Sequence, residues 1–234
     1  MEITNVEVYG FNASLRGMRN PMNSWDKSDS YRYLYVDGCV FNLQTKNQIE
    51  FPKTYEENEE GFVLGEADKI LAQKLTKAGK EHSKFLRQIQ VWVDLTLPRY
   101  IWSEFDTYSF NSKNSESTMH TAHKRNLTQS DFENPVNEEI LIVLNSLIDS
   151  HRDKLITSEE FIYEFKNNLP EGFLQMRTVN TNYAELLNIF KQRNNHRLKF
   201  QWGEMCKFIE ELPYFVELTG IERKFTKQLD NHNK

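Results

Sequence analysis

Residues 169–193 read LPEGFLQMRTVNTNYAELLNIFKQR, and the fold turns on this stretch. Leu169-Pro170 breaks a helical pattern, because proline has no N–H to give and biases the residue before it away from the helical region. Further on, Asn182 is a residue type that caps helices, and Leu186, Leu187, Ile189 and Phe190 then fall on one apolar stripe ending at Arg193. Trp202 to Leu212 supplies another helix. Upstream, Thr157-x-x-Glu160 has the form of a capping box that opens a helix through Phe165, and Asn137 to Ile148 carries an apolar helical run. The C-terminal half is therefore expected to be helical.

The N-terminal half reads differently. In Glu66 to Gly79, Ala67, Ile70, Leu71, Leu75 and Ala78 recur at spacings of three and four, which predicts a helix closed by glycine. From Phe85 to Leu97, Ile89, Val91, Val93, Leu95 and Leu97 alternate with more polar residues, the period of a half-buried strand. Pro98 ends that strand and suits the first turn of a helix, PRYIWSEF. Ile3 to Phe11 and Tyr31 to Phe41 are rich in β-branched and aromatic residues and read as strands. The expected fold class is α+β, an antiparallel sheet flanked by helices, in a single domain over 1–234. An irregular polar loop segment over 109–134 interrupts it.

Composition bounds the function. With 29 Lys and Arg against 34 Asp and Glu, the formal charge of −5 gives no reason to expect duplex nucleic acid as a ligand. The longest uncharged apolar run, near Ile140 to Leu144, is far short of the roughly 20 residues that span a bilayer, and the first residues carry no secretory pattern. A cytoplasmic protein without a membrane partner is expected. Cys39 and Cys206 lie far apart and form neither a disulfide framework nor a thiolate metal cage. The N-x-S/T triplets at Asn12 and Asn126 read as chance matches without a secretory signal.

Signatures with strict local rules are absent: there is no GxGxxG, GxxxxGK[ST], GxSxG or HExxH. His120-x-x-His123 has metal-like spacing but no third ligand, so no metal is expected. The acidic run YEENEEGF, residues 55–62, reads as a solvated loop.

Two segments with their spacing resemble the flavin-dependent thymidylate synthases. The block from Leu169 to Arg193 is similar to that family's Leu-Pro, Asn and Leu-rich helix ending in Arg, and FQWGEM, with Gln201, Trp202 and Glu204, is similar to its AQWEI-like segment. The second segment runs from Pro98 to His120. The family's Arg-His-Arg, seven residues, then Ser falls here on Thr107-Tyr108-Ser109, seven residues, then Ser117. The frame and its serines survive while the triplet does not. Met119-His120 stands where the family has Arg-Tyr, and Glu104 where it has Gln. Arg16-Gly17-Met18-Arg19 is similar to an early Arg-Ala-Ala-Arg segment, and Gly79 to Phe85 to a Gly-His-x-Ser/Thr-Pro-Phe turn. Residues 23–59 and 121–132 match nothing in that pattern.

The resemblance implies a ThyX-like flavoprotein of nucleotide metabolism, a methyltransferase in which FAD and dUMP stack at a site shared within a homotetramer. NADPH and methylenetetrahydrofolate follow only if activity is retained. It implies a pyrimidine nucleotide held by Ser117, Lys166, Arg193 and Glu104, and a flavin held by Ser83, Thr107, Tyr108, Ser109 and Asn182. No residue is assigned as catalytic. Each has an ordinary structural reading beside this one: Asn182 as a helix cap, Arg193 as the complement of a helix dipole, Lys166 as a surface lysine, Tyr108 as a core aromatic. A hydrogen bond to a charged group contributes about 1.5 to 3 kcal/mol, so losing both arginines of the triplet costs about 3 to 6 kcal/mol if additive. The expected reading is thus a divergent relative binding a dUMP-like nucleotide, with FAD as its candidate cofactor and standard methylation lost or redirected. The alternative is a catalytically silent nucleotide-binding or protein-interaction module on the same fold.

Overall fold

The computed structural model describes residues 1–49 and 60–226. In chain order, the first elements are β1 (Glu2–Tyr9), α1 (Phe11–Met18), β2 (Tyr31–Val36), β3 (Cys39–Asn42), β4 (Gln48–Ile49), β5 (Glu60–Val63), α2 (Glu66–Ala78) and β6 (Gln90–Pro98). They are followed by α3 (Arg99–Phe105), β7 (Ser112–Ser115), α4 (Thr118–Thr121), α5 (Glu138–Arg152), α6 (Ser158–Asn168), β8 (Leu174–Asn182), α7 (Tyr183–Arg193), α8 (Lys199–Glu211) and α9 (Phe215–Thr219). The fold is α+β, with antiparallel sheets flanked by helices. The chain falls into two compact units, Met1–Glu7 with Trp92–Asn180, and Val8–Val91 with the chain from Thr181 onward.

The first unit is organised by a four-stranded sheet in the order β1-β6-β8-β7. Along β6, Val91, Val93, Leu95 and Leu97 are buried, and each such side chain contributes about 1.5 to 3 kcal/mol on leaving water. On the opposite face Asp94 ties three strands together, accepting from Asn5 Nδ2 at 2.8 Å and Thr178 Oγ1 at 2.6 Å. These two bonds hold the Asp94 carboxyl below its ordinary range. The strand starts later than its alternation suggests, since Phe85 and Leu86 are both buried in succession and belong to a short 3-10 turn, Lys84–Gln88. Helices α5 and α6 start on the residues the sequence marks. Asn137 accepts from Glu139 N at 3.0 Å, and Thr157 and Glu160 form the reciprocal box. Leu144, Ile148, Phe161 and Phe165 close their shared core.

Two strands depart from the sequence expectation. Leu174–Asn182, read only as the approach to a capped helix, is strand β8. The polar stretch 109–134 contains β7, which has no apolar face of its own and is held by antiparallel pairing with β8, Ser112 facing Asn180 and Ser115 facing Arg177.

The second unit carries an antiparallel sheet in the order β4-β3-β2-β5. Tyr31 to Phe41, expected as one strand, is a hairpin. Asp37 and Gly38 both have positive φ, 50° and 75°, and sit between the paired residues Val36 and Cys39, the two-residue turn whose twist suits paired strands. Gly10 introduces α1 at φ 102°, and a Cβ there would collide with the Gln88 carbonyl. A buried ion pair lies behind the hairpin: Arg19 Nε to Asp68 Oδ1 at 2.6 Å, with Ser28 Oγ and Ser30 N also donating to Asp68. Burial pushes the Asp68 carboxyl up, but these bonds and the Arg19 charge hold it below the ordinary range.

Glu210 of α8 is fully buried and receives Lys224 N at 2.6 Å, Thr226 N at 3.1 Å and Thr226 Oγ1 at 3.0 Å, fastening the chain beyond α9. Burial, then the Glu210 charge, push the neighbouring Cys206 thiol up to about 12, which leaves it protonated and inert. Both cysteines are free. Among the described residues no helix is long and apolar enough to cross a membrane. Residues 55–59 of the acidic run lie outside the described residues.

Candidate functional site

The serine frame and the Leu-Pro block meet in the first unit. Besides the β7–β8 pairing, Glu116 N donates to the Met176 carbonyl at 2.9 Å and Gln175 Nε2 to the Glu116 carbonyl at 2.7 Å. The helix before the frame is keyed to the same strand, with Trp102 Nε1 donating to the Gln175 carbonyl at 2.8 Å.

This register gathers charge where the sequence shows none. Arg177 Cζ lies over the Trp102 ring, 4.2 Å from its centroid, and Nη1 donates to both oxygens of Asp106 at 3.1 Å. Its Nε and Nη2 reach Gln175 Oε1 at 3.3 and 3.1 Å. Lys113 reaches the same Asp106 at 2.9 Å and lies over the Phe105 ring at 5.6 Å. Two cations, each about 15% exposed, therefore share one carboxylate that is 47% exposed. Burial pushes the Asp106 carboxyl up, while hydrogen bonds from Lys113 and Arg177 and their charges hold it below the ordinary range. The cluster keeps a surplus positive charge at low exposure, an environment that favours an anion.

Beside it, Asn111 donates to the Tyr108 carbonyl at 2.7 Å, while its Oδ1 is buried and takes no hydrogen bond from the described residues. A buried acceptor without a donor costs about 1 to 3 kcal/mol, and this one lies two residues before Lys113.

The remaining residues implied by the resemblance divide between the units. In the first, Tyr108 is buried edge-on against Phe105, Ser109 is exposed, and Thr107 Oγ1 donates to the carbonyl of Glu104 at 2.7 Å. The Ser117 carbonyl starts α4, accepting from His120 N and Thr121 N, and Lys166 is exposed on α6. In the second, Ser83 Oγ donates to the Gly79 carbonyl at 3.1 Å and Asn182 caps α7, accepting from Glu185 N at 3.0 Å. Arg193 closes the same helix, its guanidinium 4.5 Å from the Trp202 centroid and Nη1 2.9 Å from His196 Nε2. At 1.5 Å per residue, the eleven residues from Asn182 to Arg193 set them roughly 16 Å apart along the axis.

His123, of the metal-like pair, packs edge-on against His151 at 5.3 Å, and no group of three or more His, Cys, Asp or Glu suited to a metal occurs among the described residues. Arg177, Lys113, Asp106 and Asn111 played no part in the sequence reading. Only the strand pairing brings them together. Glu185, one turn into α7, is a further buried acid, its carboxyl pushed up by burial against weaker lowering from Asn188 and Lys80.

No family model and no curated protein matches the sequence. Solved structures do match. The flavin-dependent thymidylate synthase ThyX from Helicobacter pylori, complexed with FAD and dUMP, superposes over 94% of this chain and 97% of its own at a TM-score of 0.64 and 15% identity. A second structure of that enzyme with FAD and dUMP gives the same coverage and identity at a TM-score of 0.65. The chain has the fold of a flavin-dependent thymidylate synthase. On this fold, Thr107-Tyr108-Ser109 follows Asp106, which Arg177 of β8 pairs at 3.1 Å.

Proposed function

We propose that this protein binds a pyrimidine nucleotide of the dUMP kind and that standard thymidylate synthesis has been lost or redirected. The observation that carries this reading is the Arg177–Lys113 pair around Asp106, placed by β7–β8 pairing beside the altered triplet. A nucleotide's anionic tail would exchange with Asp106 for the two cations. Ser117, Glu104 and Lys166, all in the first unit, are proposed as further contacts to the nucleotide.

The flavin fits less well. A flavin dinucleotide needs donors for its pyrophosphate, yet the Ser83 and Thr107 hydroxyl hydrogens point at backbone carbonyls of their own segments, the Tyr108 ring is packed in the core, and the Asn182 oxygen is held by its helix. Ser109 alone of that set is exposed with no hydrogen bond to its side chain among the described residues. The donor set therefore supports a mononucleotide better than FAD, and no chemical step is assigned.

Titration calorimetry with dUMP, a visible absorbance spectrum of the purified protein and light scattering test the reading. Micromolar dUMP binding by a colourless protein is expected, together with a homotetramer as in the resemblance. Absence of heat with dUMP would refute nucleotide binding, and a yellow protein that oxidises NADPH only when dUMP is present would refute the loss of activity.

A further inference from the structure

The second unit holds a cavity of about 470 Å³ that belongs to none of the residues implied by the resemblance except Arg16 and Arg19. This volume lies in the range of about 300 to 1,000 Å³ typical of small-molecule sites. One wall is α1, where Asn12, Arg16 and the capping Arg19 follow at spacings of four and three and so share a face. The other walls are Trp25, the stretch from Ser28 to Tyr31, and the turn after β3.

The hydrogen bonds around this cavity are lopsided. Its acceptors are engaged: Asp29 takes Ala67 N and Asp68 N at 2.8 and 3.1 Å, Asn42 Oδ1 takes Gln44 N and Thr45 N, Gln44 Oε1 takes Arg32 N, and Ser30 Oγ takes Gly65 N. Its donors are not. Arg16 makes no ion pair with any described residue, and the side-chain amino groups of Asn12 and Asn42 have no acceptor among the described residues. Arg19 is neutralised by Asp68 and does not compete with them. Trp25, half exposed and fixed by its Nε1 bond to Asn20 at 2.9 Å, offers a ring face to the same space, and Tyr31 a second aromatic surface.

A cavity whose Arg16 guanidinium makes no ion pair among the described residues, lined by the half-exposed Trp25 and by Tyr31, fits a ligand that joins an anion to a planar ring. We infer that this cavity is a second binding site, taking a small aromatic phosphate with the phosphate on Arg16 and the ring against Trp25. A bidentate guanidinium–phosphate contact supplies the grip and ring stacking the selectivity.

The test uses AMP, adenosine and inorganic phosphate as probes on the full chain, read by calorimetry and by tryptophan fluorescence. AMP is expected to quench fluorescence and to bind at least tenfold more tightly than adenosine or phosphate. R16Q should weaken AMP by roughly ten- to a hundred-fold. W25F should remove the quench and weaken AMP severalfold, with an unchanged melting temperature showing that both variants fold. No AMP binding to the wild type, equal affinity for AMP in R16Q, or phosphate binding as tightly as AMP would each overturn the inference. Binding of dUMP at the Arg177 cluster is read with another nucleotide and with substitutions in the other unit, so either reading can fail alone.

Discussion

Asp106→Asn should strengthen anion binding, the reverse of what removing a polar residue from a binding site normally does. Asp106 is the shared counter-ion of Lys113 and Arg177, at 2.9 and 3.1 Å. Asparagine keeps the size and one acceptor oxygen but removes the charge. Two unit charges about 4 Å apart interact with about 1 kcal/mol in water and about 4 kcal/mol at an effective dielectric of 20. With Asp106 about half exposed, the lower figure governs. Relieving two cations then favours an incoming anion by about 1 to 2 kcal/mol, roughly five- to thirty-fold in affinity. The folded state loses only a surface-grade pair, about 0 to 1 kcal/mol, so the melting temperature falls by about 4 °C at most. Calorimetry of the wild type and D106N with dUMP, at low and high salt, is the assay, and the gain must shrink as salt screens the cluster. Because the Asp106 carboxyl is held below the ordinary range, it stays ionised at neutral pH, and acid mimics the substitution only below that range. Unchanged or weaker dUMP binding in D106N, or a gain indifferent to salt, would refute the argument.

Asp68→Ala strands the Arg19 guanidinium inside the second unit and should cost about 3 to 5 kcal/mol, measured by urea unfolding. Since the folded-state pKa of Asp68 is lowered, its stabilisation is complete above the unfolded value near 3.8 and disappears as pH falls through the lower folded value; a flat acid limb in the wild type would contradict this. Glu210→Ala frees three backbone N–H groups of residues 224–226 and should make the chain after Arg223 susceptible to limited proteolysis, with cleavage no faster than wild type as the contrary result. Arg193→Ala removes the guanidinium from the Trp202 ring, which should cost about 0.5 to 2 kcal/mol of stability and shift Trp202 emission. An unchanged melting temperature and emission maximum in that variant would contradict the ring contact.

Much of the fold is written locally. The cap at Asn137, the box at Thr157 and Glu160, the glycine closing α2 and the alternation of β6 are each decided within a few residues, so the sequence alone places them. The hairpin was visible in principle through Asp37-Gly38, but the aromatic run on both sides hid the turn. Strand β7 was not legible at all: Ser-Lys-Asn-Ser has neither strand propensity nor a buried face, and only its partner makes it extended. The candidate site follows the same division. Asn182 announces its cap in sequence, whereas Arg177, Lys113 and Asp106 lie at separations that no local pattern relates and become neighbours through strand register.

The hairpin sheet leaves and rejoins the chain at one place. Tyr31 pairs with Val63, Ser30 Oγ holds Gly65 N at 3.0 Å, and Asp29 caps α2, so the exit and entry points stand about one strand spacing apart. The clasp fixes where the excursion starts and ends, while its body stays tied to α1 through Phe62 stacked on Phe11 at 5.5 Å and Gln44 Nε2 donating to Asn12 Oδ1 at 3.4 Å. Extra length is therefore tolerated best at the Asp37-Gly38 turn, the hairpin end away from the clasp, since each doubling of a closed loop costs only about 0.6 kcal/mol.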